Sequence, residues 1–255
     1  VCGPTGSGKT TTLHSALSYI NKTDTKIWTA EDPVEITQRG LRQVQVKPQI
    51  GFDFAAAMRS FLRADPDVIM VGEMRDKETT HIGIEASLTG HLVLSTLHTN
   101  NAPESITRLL DMGMDPFNFA DAILCILAQR LLRTLCRECK RAYAPSQSQY
   151  DELVREYGKA EFEDKVRIPF GDDLKLYKPL GCEVCNNSGY LGRMGIHELL
   201  AGTDEMKKLI QNKERVEAIR DQALKDGMST LKQDGVEKIF GGNCDLLQVR
   251  KVTIK

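Results

Sequence analysis

What this sequence lacks narrows it first. No apolar run approaches the roughly 18–20 residues that a bilayer-spanning helix requires, and the first residues lack the layout of a secretory signal. Neither sign of charge dominates: 34 Lys and Arg stand against 35 Asp and Glu, a formal net charge of −1. No global field therefore draws the chain to nucleic acid or to an anionic surface, although a local basic patch would escape that test. Aromatic residues make up only 6% of the chain, and no basic stretch is interleaved with them as a nucleic-acid groove demands. Internal repeats and low-complexity tracts are missing as well. What remains is an ordinary globular composition over 255 residues, enough for one or two domains with a sizeable core.

Against those absences stands one dense stretch, Gly3-Pro4-Thr5-Gly6-Ser7-Gly8-Lys9-Thr10, running on into Thr11. Its spacing, G-x-x-x-x-G-K-T, is that of a phosphate-binding loop. Glycines let successive backbone N–H groups turn inward onto an anion, and the helix that follows adds the positive end of its dipole. Lys9 then reaches the β- and γ-phosphates of a nucleoside triphosphate, and the Thr10 hydroxyl ligates Mg²⁺. The bland alternative is a glycine-rich turn that matches by chance. Only Val1 and Cys2 precede the loop, where a buried strand is the rule. The expectation is a C-terminal piece of a longer protein, with most of that strand upstream.

The patterning downstream alternates strand and helix. Thr10 to Ile20 reads as a helix, with Leu13, Ala16, Leu17 and Ile20 at helical spacing. Strands are expected at Lys26–Ala30, Val68–Val71 and Leu92–Thr96, with helices at Asp53–Arg63 and Lys77–Leu88 and a hairpin across Ile36–Val46. Such alternation argues for a mostly parallel α/β sheet. Ala102–Met112 and Pro116–Leu135 read as helices, the second packing through Ile123, Ile126, Leu127 and Leu131. The span from Arg137 to Pro179 is polar and weakly periodic, with one helix near Gln149–Tyr157. A strand over Ile196–Leu200 and helices at Asp204–Gln211, Arg215–Asp226 and Thr230–Phe240 complete the chain. Three segments result: a nucleotide-binding core at 1–135, a tetracysteine segment at 136–188 and a mainly helical segment at 189–255.

Glu73 follows the apolar run Val68–Val71, at the strand end where open α/β sheets place ligands. Triphosphate hydrolysis needs a carboxylate there to orient and polarise the attacking water. The acidic cluster Glu31-Asp32-Pro33-Val34-Glu35 ends another strand, and Glu31 and Glu35 are candidates for ordering metal-bound water and supporting Glu73. A capped turn is the alternative, and the residues do not separate the roles of the three carboxylates. His98, past a third strand, is placed to contact a γ-phosphate; His91 is a weaker candidate. Arg59, Arg63, Arg75, Arg130, Arg133 and Arg193 are all able to reach phosphate, in cis or from a neighbouring subunit.

The chain has seven cysteines, and four form two close pairs, Cys136-x-x-Cys139 and Cys182-x-x-Cys185. Four thiolates so paired suit tetrahedral Zn²⁺, with no coordination position left open for chemistry. A redox C-x-x-C is the rival reading, but neither pair opens a helix of a thioredoxin-like unit. Cys2, Cys125 and Cys244 have no partner spacing and read as small apolar residues.

In order, the chain carries the phosphate loop, Thr29-Ala30-Glu31-Asp32-Pro33-Val34-Glu35, Asp65 to Asp76 around Glu73, and Thr89-Gly90-His91-Leu92-Val93-Leu94-Ser95-Thr96-Leu97-His98-Thr99-Asn100. These resemble the Walker A motif, Asp box, atypical Walker B motif and His box of the secretion ATPase superfamily, which powers type II secretion and type IV pilus assembly. The resemblance covers essentially the whole chain. It implies a RecA-like P-loop NTPase core in a homo-hexameric cytoplasmic motor, peripheral at the inner membrane through a platform protein and its cytoplasmic adaptor. ATP and Mg²⁺ with a structural Zn²⁺ are the implied cofactors, Glu73 the catalytic glutamate and His98 the γ-phosphate contact. Pilus retraction members resemble this core but lack the four cysteines, so the exporting branch is favoured. Two other functions fit the residues less well: a nucleotide-binding switch with little hydrolysis, and a nucleic-acid translocase.

Overall fold

A computed structural model describes residues 1–253. Helix α1 (Lys9–Ile20) follows the loop and turns Leu13, His14 and Leu17 inward. Strand β1 (Ile27–Glu31) pairs in parallel with β2 (Arg42–Gln45) on one side and β3 (Val68–Val71) on the other. Helices α2 (Phe54–Phe61) and α3 (Lys77–Leu88) flank β3 in sequence, and β4 (Leu92–Ser95) completes a sheet of order β2-β1-β3-β4. Every residue of β3 is buried, as expected for a parallel strand covered on both faces. Because every pairing is parallel, the C-terminal ends of the strands share one edge.

The remaining elements are α4 (Ala102–Asp111), α5 (Pro116–Ala122), β5 (Cys125–Leu135), β6 (Arg141–Tyr143), α6 (Gln147–Tyr157), the single turn α7 (Lys159–Glu161), β7 (Leu176–Lys178) and β8 (Tyr190–Ala201). Four helices follow: α8 (Asp204–Gln211), α9 (Val216–Lys225), α10 (Leu231–Phe240) and α11 (Leu246–Thr253). Helix starts are written into the side chains. Asp53, Asp76, Asn101 and Asp115 each accept a hydrogen bond from a backbone N–H of the first turn they cap.

Packing divides the chain into two compact units, each assembled from two stretches. Residues 1–128 and 199–228 form the first, residues 129–198 and those from 229 onward the second. In the first, one cluster of buried side chains fills the space between α2 and the sheet, including Ala57, Met58, Phe61, Ile69 and Val71. A larger cluster joins α4, α5, α8 and α9 through Ile106, Phe119, Met206, Ile210 and Ile219. The second unit packs α6, α10 and α11 around Leu153, Tyr157, Phe162, Val236 and Val249, with β6 and β7 as an antiparallel pair.

Three expectations need correction. The hairpin over 36–46 does not form: β2 pairs in parallel with β1, and the segment between them is a loop. The helix expected from Pro116 to Leu135 stops at Ala122, and β5 takes the rest. Along β5 the buried positions include Ile126, Ala128, Arg130 and Leu132, a period of two rather than 3.6. Parallel bridges from Cys2 to Leu97 and to Ala128 draw this stretch beside the sheet, and a short apolar run cannot declare that partner in advance. Of the three cysteines read as small apolar residues, Cys2 and Cys244 are buried as such residues usually are, but Cys125 is exposed.

Candidate functional site

Cys2 lies parallel between the chain after β4 and the start of β5, with its N–H donating to Leu127 O at 2.7 Å. The loop 3–8 therefore emerges at the same sheet edge as the ends of β1, β3 and β4. Gly6 and Gly8 take φ of 78° and 85°, a region that excludes most side-chain-bearing residues and lets the loop turn tightly into α1. Lys9 is buried, and its ammonium donates to Gly3 O at 2.9 Å and Pro4 O at 3.1 Å. Thr10 and Thr11 follow in the first turn of α1.

Around this loop lies a cavity of about 400 Å³. Its walls carry Thr5, Gly6, Gly8, Lys9, Thr10 and Thr11 from the loop and helix. Glu31 ends β1 and Asp32 and Glu35 follow it, Glu73 lies in the turn after β3, and Thr96 and His98 lie in the chain after β4. Volume and lining suit a phosphorylated ligand with a cation: buried ammonium, helix N-terminus and hydroxyl on one side, carboxylates on the other. Of the nine loop residues expected to bind nucleotide, Gly3, Pro4 and Ser7 do not line the cavity. Gly3 and Pro4 instead supply the carbonyls that hold Lys9.

Glu73 is 9% exposed and meets two side chains, His98 and Arg75. His98 Nε2 lies 3.3 Å from its Oε2, and Arg75 Nε pairs with the same oxygen. That ion pair raises the Arg75 pKa above its ordinary value. Thr96 donates to the carbonyl of Gly72 at 2.6 Å, and Met74 N–H donates to Thr96 O at 3.1 Å, so the turn bearing Glu73 is tied to the end of β4. Glu31 is buried and bonded to Thr29, Gln43 and His14, while Asp32 and Glu35 are exposed.

The arginine candidates separate. Arg75 reaches the cavity wall through Glu73, whereas Arg59 is paired with Glu78 on α3. Arg133 lies over the Tyr190 ring at 5.1 Å within the second unit, which also holds Arg130 and Arg193. His91 is used locally, its ring near Ala86 O at 3.0 Å where α3 turns into β4.

In the second unit the four paired cysteines converge, all sulfurs within 4.8 Å of one another. Cys136 and Cys182 sulfurs are 3.9 Å apart, Cys139 and Cys185 3.8 Å, and Cys182 and Cys185 3.7 Å. These are too long for disulfides, at about 2.05 Å. Bonds of about 2.3 Å in a tetrahedron place sulfurs roughly 3.8 Å apart, so the cluster fits zinc. Backbone N–H groups of Gly181, Cys182 and Gly189 donate to the sulfurs at 3.2–3.3 Å. Burial pushes the Cys185 thiol up, but the N–H donors of Cys182 and Gly189 outweigh it and bring its pKa to about 6. Burial raises Cys139 to about 11.

The family model described as type II/IV secretion system protein matches residues 1–251. The chain belongs to that family. Among curated relatives, the type IV pilus assembly ATPase PilB of Myxococcus xanthus is 47% identical over 249 residues, covering 98% of this chain and 42% of its own length. The type II secretion system protein E of Aeromonas hydrophila is 44% identical over 253 residues, covering 99% of this chain and 48% of its own. The chain thus spans less than half the length of these relatives. Among solved structures, the pilus retraction motor PilT with bound ADP superposes with a TM-score of 0.67 at 27% identity, covering 100% of this chain and 60% of that one.

This secretion-system family member also uses residues to which the motifs alone give no role. Thr96, Gln43 and Thr29 are polar side chains inside or beside strands, where alternation alone assigns them no partner. His14 left a clearer signal. With Lys9, Leu13 and Leu17 it shares the buried face of α1, and a polar residue on such a face requires a polar partner.

Proposed function

We propose that this chain is the ATP-hydrolysing domain of a hexameric motor for type II secretion or type IV pilus assembly. One observation carries the reading: a single cavity gathers Lys9 and Thr10, Asp32 and Glu35, Glu73 and His98 at the shared edge of a parallel sheet. In a RecA-like domain of this kind, Lys9 and the loop N–H groups hold the β- and γ-phosphates. Thr10 offers its hydroxyl to Mg²⁺, and Asp32 and Glu35 order the water around it. Mg²⁺, when bound, neutralises charge developing on the phosphates. Glu73 orients the attacking water and accepts its proton, and His98 donates to a γ-phosphate oxygen. Cys136, Cys139, Cys182 and Cys185 hold a structural Zn²⁺, which supplies cross-linking within the second unit.

Near-equal identity to a pilus assembly ATPase and a type II secretion protein supports the exporting branch without dividing it. The cysteine cluster supports the same branch over retraction. The motor is proposed to work in the cytoplasm, docked peripherally on an inner-membrane platform protein and its adaptor, and to require no nucleic acid. The test is steady-state ATP turnover of the full-length hexamer with Glu73→Gln. Loss of a general base should lower kcat about 10²- to 10⁴-fold while nucleotide still binds. Turnover near that of the unaltered protein overturns the role of Glu73.

A further inference from the structure

Glu31 is held more firmly than a carboxylate serving only the cavity requires. It is 3% exposed, and its Oε1 accepts from Thr29 Oγ1 at 2.6 Å and from Gln43 Nε2 at 3.0 Å. Its Oε2 faces His14 Nε2 at 3.1 Å, and His14 is 2% exposed. A carboxylate only accepts, so His14 Nε2 carries the proton. The other ring nitrogen, Nδ1, is buried with no hydrogen-bond partner. The one hydrogen bond the ring makes among the described residues is therefore its Nε2–H to Glu31 Oε2, and its fixed place on α1 passes to that carboxylate.

The bonds continue through the acidic loop. Gln38 Nε2 donates to His14 O at 2.9 Å, and Gln38 N–H donates to Gln43 Oε1 at 2.8 Å. Gln43 Nε2 also donates to Ile36 O at 2.8 Å. The segment 31–38 is thus fastened at both ends, to α1 and to β2, while Asp32 and Glu35 between those ends line the cavity. His14 stands on the same helix as Lys9 and Thr10.

We propose that His14 is a positioning residue. By fixing Glu31, it sets the loop bearing Asp32 and Glu35 at a defined distance from the Thr10 hydroxyl, across the place of the metal and its waters. The inference rests on the Mg-ATP reading of the cavity. A histidine present only for packing, between Leu13 and Leu17, would be replaceable by an apolar side chain of similar bulk.

The experiment compares His14→Leu and His14→Gln in the full-length protein, measuring kcat, KM for ATP, the Mg²⁺ dependence of turnover and melting temperature. Leucine keeps the bulk and removes the donor; glutamine restores an N–H donor on the same face. His14→Leu should lower kcat about 10²-fold, the cost of misplacing a reacting group by about 1 Å. KM for ATP should stay within about threefold, because the phosphate-loop contacts are intact. Half-saturation with Mg²⁺ should move to higher concentration, and His14→Gln should recover most of the lost turnover. Unaltered kcat in His14→Leu overturns the proposal. So does an equal loss in both variants that merely follows their melting temperatures. Should His14→Leu not fold, Gln43→Met, which removes a donor from the other Glu31 oxygen, must give the same loss in kcat alone; unaltered kcat there overturns the proposal as well. If the unaltered protein hydrolyses no ATP, the cavity reading itself has failed, a result distinct from any of these.

Discussion

Glu73 and His98 come from the ends of adjacent parallel strands, and their side chains meet with His98 Nε2 at 3.3 Å from Glu73 Oε2. The carboxylate assigned to the attacking water and the imidazole assigned to the γ-phosphate are therefore in register before any ligand is considered. A group that contacts only the γ-phosphate should discriminate ATP from ADP.

His98→Ala should expose that discrimination. A hydrogen bond to a charged group contributes about 1.5–3 kcal/mol, so ATP affinity or turnover should fall about 10- to 100-fold while ADP affinity stays unchanged. Titration of both nucleotides into the variant makes the comparison; equal losses for the two would remove His98 from the γ-phosphate.

Metal content provides the second check. Protein purified under reducing conditions should carry close to one zinc per chain, and Cys182→Ser with Cys185→Ser should abolish it. Because metal binding is coupled to folding, the double variant should also melt at lower temperature. Nucleotide affinity should persist, since none of the four cysteines lines the cavity. Zinc near zero in the unaltered protein would refute the assignment.

Gly202 tests a close backbone approach in the first unit. Its N–H donates to Leu124 O at 2.8 Å, and a methyl group there would meet Ile123 O at 2.6 Å and Leu124 O at 3.1 Å. Carbonyl groups cannot swing aside as a flexible side chain can. Gly202→Ala should therefore destabilise the protein by about 1–3 kcal/mol, read as a shift in urea midpoint. No shift would mean the chain relaxes there freely.

Acid stability carries a fourth prediction. Lys232 at 2.8 Å, and then Arg250, hold the Glu156 carboxyl below its usual range. A depressed carboxylate stabilises the fold above the unfolded-state pKa, about 4.3 for glutamate. That stabilisation is lost as pH falls through the lower folded-state value. Glu156→Gln should thus cost stability at pH 7 and flatten the loss of stability below about pH 4.3. Parallel melting-temperature curves for the two proteins from pH 7 to pH 3 would contradict it.

The candidate site was legible because its motifs sit where parallel strands end, and strand ends are marked locally. Val68–Val71 followed by Gly72-Glu73 needs no distant partner to be read. The same holds for the phosphate loop and the cysteine pairs. β5 was not legible: Ile126, Leu127 and Leu131 fit a helix as well as a strand until Cys2, over a hundred residues earlier, pairs with Ala128. The loop between β1 and β2 misled in the same way, since Gly40 suggests a hairpin while the pairing is parallel. His14 is legible only in part: its place beside Leu13 and Leu17 on the buried face of α1 calls for a polar partner, but nothing local names Glu31, seventeen residues on, as that partner.

The two hydrogen bonds from Lys9 to Gly3 and Pro4 make the loop and the first turn of α1 a closed ring of chain and hydrogen bonds. A glycine-rich segment left to wander would lose about 1–2 kcal/mol of backbone freedom per residue each time it ordered around a ligand. This one is ordered by its own lysine. Nucleotide affinity should accordingly carry little entropic penalty from the loop, and association should resemble docking onto a rigid surface more than coupled folding.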